Sequence, residues 1–416
     1  MEVLDFSSKR EQNEIHFDYA EREKIQGLKN LNVPNLRFPE FTEDWVQYKC
    51  SDLLEFYSTN SLSWEQLDYD NNDLLNLHYG LIHVGLPTLV NVEQHNLPSV
   101  KPEFKPKNYT LCKSGDIAFA DASEDTNEVA KPIEFYDCSD KQVVCGLHTI
   151  HGRDKLNATE IGFKGYAFSS TPFHHKIRRL AQGSKIYSIS SKNFSEVTIG
   201  IPTNEEQRKI VDLLSKLDAL IATQNKIIQQ LQSLIKGIYD KVFEDISDYQ
   251  KLSSVCTIQK GQQVNGEELS EFGNYYVMNG GIEPSGYYDR YNTDANTISI
   301  SEGGNSCGYV QYNNIPFWSG GHCYTLQNIK EGYNNLFLYH YLKAREKEIM
   351  ALRIGSGLPN IQKKDLEKFF VPILPLEIQI GIVGGINEIE TKLKQEKDIL
   401  SAYQKQKAYL LRNLFI

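Results

Sequence analysis

The chain has 416 residues with 44 Lys and Arg against 54 Asp and Glu, a net charge of −10, 40% hydrophobic and 24% charged residues. This balance belongs to a soluble globular protein, and the length predicts two or three domains. The acidic surplus counts against nucleic-acid binding, because neutralising phosphates takes lysine and arginine. The cysteines, at 50, 112, 138, 145, 256, 307 and 323, are odd in number and scattered, with no C-x-x-C. They predict reduced thiols, not a disulfide framework or a thiolate zinc site. No run of about 18 apolar residues occurs, and no apolar stretch follows a basic start. Neither a membrane span nor a secretory signal is expected, and the predicted location is the cytoplasm.

In chain order, residues 1–32 form an acidic extension with no assigned role. Residues 33–182 read as a module of short strands and turns, in which Leu111 to Asp125 is a turn, a strand and an acidic loop. From Gly183 the chain enters a unit that recurs: Gly183 to Phe243 aligns without a gap on Gly355 to Phe415. Ile189 falls on Ile361, Lys192 on Lys364, and the Glu205 and Gln207 of PTNEEQ on the Glu377 and Gln379 of PLEIQ. Within the unit, Ile210, Leu214, Leu217, Ile221, Ile228, Leu231, Ile235, Ile238 and Val242 step by 4 and 3, interrupted by Gln224; the period is that of a heptad seam. A helix from Glu205 to Phe243 runs about 58 Å, too long and too narrowly striped for the core of a compact domain.

Between the repeats, residues 248–354 form a second module. Its Thr297–Tyr312 stretch reads as two strands about a Gly303-Gly304 loop, with a helix following in NLFLYHYLKAREKEIMAL. The second repeat copies the seam from Ile382 to Leu414, with Glu396 standing where Gln224 stands in the first. The predicted architecture is α+β: two mixed α/β modules (33–182, 248–354) and two repeat units (183–247, 355–416) whose long helices pack as an antiparallel coiled coil, a pseudo-twofold internal repeat. Gln224 and Glu396 are expected to face each other and fix the register; the bland alternative is two polar residues tolerated by chance.

Motifs of catalysis are missing. There is no P-loop, no G-x-G-x-x-G after a strand, no Pro-Pro of an amino-methyltransferase pocket and no G-x-S-x-G elbow. His148 with His151, and His174 with His175, have no Cys or carboxylate at matching ligand spacing, so no metal is expected.

Taken together, the sequence resembles the specificity (S) subunit of type I restriction-modification systems from about Asn32 onward. The first module carries the resemblance in NVPNLRFPEF with Trp45, NSLSWEQL, NLHYGLIHV, GDIAFADASED and GLHTI. The second carries it in NGGIEPSGYY, TISISEGGNSCGYV, PFWSGGHCY and GSGLPNIQKKDLEKFFVPILPLEIQ. The segment 1–31 and the shortened PLEIQ depart from the pattern. The resemblance implies a non-catalytic chain with two target recognition domains, each reading half of a bipartite double-stranded DNA site. Its helices then set the spacer and dock two methyltransferase subunits. It implies no cofactor here, and S-adenosylmethionine, ATP and Mg2+ in the methyltransferase and restriction/translocase partners. The competing readings are the recognition half of a split modification enzyme, and a coiled-coil assembly protein with no DNA role.

Net charge by segment is −2, −7, 0, −3 and +2, so the recognition modules are themselves acidic and only local clusters can meet DNA. In the first module these are Lys101, Lys105 and Lys107 of KPEFKPK, and Lys176, Arg178 and Arg179 of HHKIRRL, the alternatives being a solvated loop and the outer face of a helix. In the second, Lys260, Arg290, Arg353 and Lys363 are candidates for phosphate or guanine. Asn76, His78, Tyr79 and Asn279 are candidates for base edges, or only satisfy loops. Gly303 and Gly304 open the backbone to a phosphate, or only turn the chain.

Overall fold

Two long helices organise the computed structural model, Asn204–Glu244 with 41 residues and Leu376–Asn413 with 38. The structure describes residues 32–416 apart from Asn72, Ser184, Asp245, Ser356 and Leu358; the acidic extension up to residue 31 lies outside the described residues. The chain divides into two compact units, one running to Leu220 and including Tyr403–Ile416, the other Ile221–Ala402. The division falls inside both long helices.

In the first unit a five-stranded sheet runs in the order Leu54–Tyr57, Thr149–Asp154, Ile117–Ala120, Pro132–Asp137, Leu89–Asn91. A four-stranded sheet runs Val143–Cys145, Leu75–Leu77, Ser99–Val100, Leu67–Asp68. Glu134, fully buried, accepts from the backbone N–H of Gly162 at 2.9 Å and Gly165 at 2.7 Å and pairs with Lys164 at 3.2 Å. It clamps the helix Phe163–Phe168 to the larger sheet. That helix must be glycine at 165, because a Cβ there would stand 2.9 Å from Leu89 Cδ2 and 3.1 Å from Thr88 Cγ2.

The second unit holds a four-stranded sheet, Thr257–Lys260, Cys323–Gln327, Thr297–Ser301, Val310–Asn313, and a three-stranded sheet, Tyr287–Tyr288, Tyr275–Met278, Trp318–Ser319. Thr297–Ser301 and Val310–Asn313 pair antiparallel about the Gly303-Gly304 loop. The helical NLFLYHYLKAREKEIMAL stretch breaks into Asn335–Ala344 and Glu346–Ala351.

The same joints recur in both units. In the first, Val46–Lys49 pairs antiparallel with Thr198–Ile201; in the second, Tyr249–Lys251 pairs with Phe370–Pro372. Short helices Ser191–Ser195 and Lys363–Leu366 occupy equivalent places in the two repeats and bury Phe194 and Leu366. Gln207 and Gln379, both fully buried, make the same three bonds. Gln207 Nε2 donates to Ala158 O and Pro202 O, each at 2.9 Å, while its Oε1 accepts from Glu160 N at 2.8 Å. Gln379 Nε2 donates to Gly332 O at 2.9 Å and Leu374 O at 2.8 Å, while its Oε1 accepts from Asn334 N at 2.8 Å. Phe243 packs on Phe337 with ring centroids 6.0 Å apart in the second unit, and Phe415 on Phe163 at 6.0 Å in the first.

The seam positions from Ile210 to Val242 and from Ile382 to Leu414 are buried or half-buried, and most residues between them are exposed. In the second unit the helices pass in opposite directions: Gln224 Nε2 donates to the Glu396 carboxylate and to Glu396 O at 3.0 Å, while Tyr239 and Phe243 share a core with Val383 and Ile386. In the first unit Lys407 pairs with Asp218 at 2.5 Å, and Asp218 also accepts from Tyr166 OH at 2.9 Å.

Replacing Gln207 or Gln379 by Ala removes a buried carboxamide and its bonds to two carbonyls and one N–H. The expected loss, read from urea unfolding, is about 3 kcal/mol at either position, against roughly 0.5 kcal/mol for the exposed neighbour Arg208→Ala. A second outcome concerns His174 on the helix Thr171–Arg178, whose pKa burial pulls down to about 4, with Glu128 opposing. Its unfolded value is about 6.5, so the unfolded state binds the proton first and stability falls as pH drops from about 6.5 to about 4. His174→Asn is expected to flatten that part of the acid-unfolding curve.

Candidate nucleic-acid interface

The strand Ile117–Ala120 of the first unit and the strand Thr297–Ser301 of the second each lead into an acid facing a histidine. In the first, Asp121 N donates to His148 O at 3.0 Å and the His148 ring nitrogen Nδ1 stands 3.1 Å from Asp121 Oδ1. In the second, Glu302 N donates to His322 O at 2.9 Å and His322 Nδ1 stands 3.6 Å from Glu302 Oε2. Beyond each acid lies the repeat: Ile189 N donates to Asp121 O at 3.0 Å, and Ile361 N to Glu302 O at 2.8 Å. Bridges Gln182–Ser188 and Ile354–Asn360 close matching hairpins beside them. Both histidines are exposed.

Around this joint in the first unit, rings collect from segments distant in sequence. Trp64 lies 4.3 Å from His78, His78 4.8 Å from Tyr79, and Tyr79 5.2 Å from His148, centroid to centroid. The KPEFKPK loop joins them through Lys101 N, which donates to Gln66 O at 3.1 Å, and Lys101 Nζ, which donates to Glu65 O at 2.6 Å. Lys105 and Lys107 are exposed and form no ion pair with a described residue, and Phe104 and Tyr109 stand exposed on either side of them. Positive charges interleaved with open rings suit a phosphate backbone and unstacked or edge-on bases.

Burial corrects part of the sequence reading. Asn76 is fully buried, its Oδ1 accepting from Asn60 Nδ2 at 2.9 Å. His78 is 2% exposed and caps the helix Tyr79–Val84 by accepting from Gly80 N at 3.2 Å. Lys176 turns inward, donating to Thr198 O at 2.9 Å, and desolvation lowers its pKa. Asn76 and His78 are struts with no face for a duplex, while Lys176 is half-buried with its ammonium engaged by the Thr198 carbonyl. Tyr79, by contrast, is half-exposed. Arg178 and Arg179 end their helix on the outside; Arg178 donates to Asn127 Oδ1 at 2.8 Å. Their place in the last turn also suits the helix dipole.

In the second unit Arg290 is exposed, 5.3 Å above the Tyr288 ring, and donates to Tyr288 OH at 2.8 Å. Tyr288 OH in turn donates to Glu268 at 2.9 Å, which aims the guanidinium outward from the three-stranded sheet. Tyr291 packs against Tyr275 at 4.9 Å, and Phe272 is 84% exposed nearby in sequence. Lys260 is neutralised by Glu302 at 2.6 Å. Asn279 accepts from His322 N at 3.0 Å, so it braces the histidine. Gly304 sits at φ +76 and donates to Pro359 O at 3.0 Å, turning the chain into the hairpin, while Gly303 forms a bridge with Asn360. Arg353 is exposed, and Lys363 pairs weakly along its helix with Glu367 at 3.7 Å. Sequence reasoning missed Trp64, His148, His322 and Tyr275; of these, folding places His148 and His322 beside the matched acids.

Residues 138–233 and 246–402 match the family described as type I restriction modification DNA specificity domain. A putative type I specificity subunit of Mycoplasma pneumoniae is 30% identical over 166 residues, 39% of this chain and 44% of that protein. The chain thus spans less than half of that relative's length in the match. The putative type I restriction enzyme MjaX specificity subunit of Methanocaldococcus jannaschii is 23% identical across 92% of this chain and 96% of that protein. In fold, the chain is similar to the crystallised S subunit of a type I system from M. genitalium, with a TM-score of 0.62 at 20% identity over 92% of this chain and 99% of that one. It is also similar, at TM-score 0.55 and 15% identity, to a chain from a structure describing complex assembly and conformational transition of the type I system, over 89% and 97% of the two. With the family matched across both units, the chain belongs to the specificity subunits of type I restriction-modification systems.

Proposed function

We propose that this chain is the non-catalytic address of a type I complex: each unit reads one half of a bipartite double-stranded DNA site, and the long helices, paired as an antiparallel coiled coil with pseudo-twofold symmetry, set the spacer. The observation that carries the reading is the recurrence of the same joints in both units, from the glutamine clasps to the acid–histidine pairs. Equal joints holding unlike surfaces are what two readers of different half-sites require. Gln224 and Glu396 serve as the register pair, since an apolar seam alone tolerates slippage by a heptad.

Two methyltransferase subunits are the proposed docking partners, with restriction/translocase subunits joining them. In the second unit Phe370, Ile373, Leu376, Ile378 and Ile380 leave a run of apolar side chains 44 to 56% exposed, a surface of the kind that marks a protein contact. Adenine methylation with S-adenosylmethionine, and ATP- and Mg2+-driven translocation, would belong to those partners. Among the described residues no helix is long and apolar enough to cross a membrane.

Charge shapes the mechanism. With Lys176 turned inward, Lys260 held by Glu302 and both modules acidic overall, the partners' basic surface is expected to supply much of the phosphate neutralisation. The isolated chain is expected to bind DNA poorly and with strong salt sensitivity, improving greatly in the complex; tight specific binding alone at physiological salt contradicts this. Identity of the site is read by mapping methylated adenines in a host carrying or lacking this chain beside its methyltransferase. A split motif that vanishes with the chain is expected, and an unchanged methylation pattern overturns the proposal.

A further inference from the structure

Beneath the ring cluster of the first unit lies a group that the recognition reading does not use. Cys112 Sγ and Cys145 Sγ stand 3.6 Å apart, and a ring nitrogen of His151 lies within 4.8 Å of both sulfurs. All three residues are buried. His151 Nε2 is 2.8 Å from Asp116 Oδ2, whereas its Nδ1, also buried, has no hydrogen-bond partner. We propose that Cys112, Cys145 and the His151 imidazole, through the nitrogen that Asp116 leaves free, bind one thiophilic d10 cation, Zn2+ or Cu+.

Four observations support the site. Two thiolates at about 2.3 Å from a tetrahedral zinc stand about 3.8 Å apart, close to the separation found, while a disulfide needs about 2.05 Å. An orphaned imidazole nitrogen in a protein core is costly unless something accepts its lone pair. Asp116 occupies the place that a carboxylate takes behind a metal-bound histidine, fixing the ring so that the opposite nitrogen is free to ligate. Asp116 is itself held by Arg153, through Nε at 2.7 Å and Nη2 at 2.7 Å, and by Lys113 N at 2.9 Å.

Charge closes as well. Uptake of Zn2+ forms two Zn–S bonds and releases the two thiol protons to solvent, so the dication with two thiolates and a neutral imidazole is neutral, and Asp116 is balanced by Arg153. The ligands come from three segments: Cys112 ahead of the strand Ile117–Ala120, Cys145 at the end of Val143–Cys145, and His151 inside Thr149–Asp154. Strand pairing, not a C-x-x-C loop, assembles them, which is why their spacing gave no zinc signal. An ion there ties together the two sheets of the unit that presents Tyr79 and the KPEFKPK loop.

The test is titration of the reduced full-length chain with Co2+, followed by competition with Zn2+ and, separately, with Cu+. Expected is one Co2+ per chain with thiolate-to-cobalt charge-transfer absorption and ligand-field bands of tetrahedral strength, both abolished by Zn2+. Binding of Cu+ alone at one per chain also supports the site and assigns the softer ion. Cys145→Ser is expected to remove the charge-transfer band, Cys138→Ser to keep it, and Asp116→Asn to weaken binding about 10- to 100-fold. The wild-type titration needs no variant to fold: absence of saturable uptake of all three ions overturns the proposal. So does an unchanged spectrum in Cys112→Ser/Cys145→Ser.

Discussion

A buried carboxamide that must satisfy two carbonyls and one N–H governs how this chain is built. Gln207 and Gln379 each sit on the first turn of a long helix, where backbone N–H groups have no intrahelical partner and the preceding loop has to be anchored. Each glutamine reaches back to a carbonyl just past the preceding strand and sideways to the loop before a short helix, Phe163–Phe168 in one unit and Asn335–Ala344 in the other. The start of each long helix is thereby fixed to the body of a unit through a side chain that is itself fully buried. The rest of the repeat follows from that anchor: the paired strand before the helix, the short helix before the strand and the phenylalanine that ends the helix in a core.

Legibility tracked periodicity. The seam from Ile210 to Val242 could be read because a heptad repeat is a property of sequence alone, and the interruptions at Gln224 and Glu396 were visible for the same reason; in the structure those two side chains meet. The glutamines of PTNEEQ and PLEIQ could be matched but not interpreted, because the loops they hold lie far upstream and become neighbours only on folding. Asn76 and His78 looked like base readers because polar residues in a tyrosine-rich stretch resemble a surface; the parallel pairing of Leu75–Leu77 with Val143–Cys145 buries them instead. Trp64 and His148 escaped notice for the converse reason, being far apart in sequence and joined only through His78 and Tyr79.

The acidic balance, at first an objection to DNA, becomes informative once side chains are placed. Several of the cations in the reading modules are engaged within the chain: Lys164 by Glu134, Arg153 by Asp116, Lys176 by a strand carbonyl and, at the surface, Lys260 by Glu302. What remains outward is sparse and local, as with Arg290 on its tyrosine and Lys105 and Lys107 between aromatic rings. Sparse outward charge favours discrimination over grip, because non-specific affinity scales with the phosphates neutralised while base-edge contacts do not. On the proposed function, a complex that divides the work would place grip in the partners and discrimination here.

On the proposed function, helix length and not the reading surfaces determines the untouched interval between half-sites. Deleting one heptad from each long helix, in phase with the seam, shortens each by about 10 Å, equivalent to about three base pairs of B-DNA. Methylated-adenine mapping with that variant in the complex should return both half-sites unaltered with a shorter spacer between them. An unchanged spacer with methylation intact, or a change in either half-site sequence, would contradict the account.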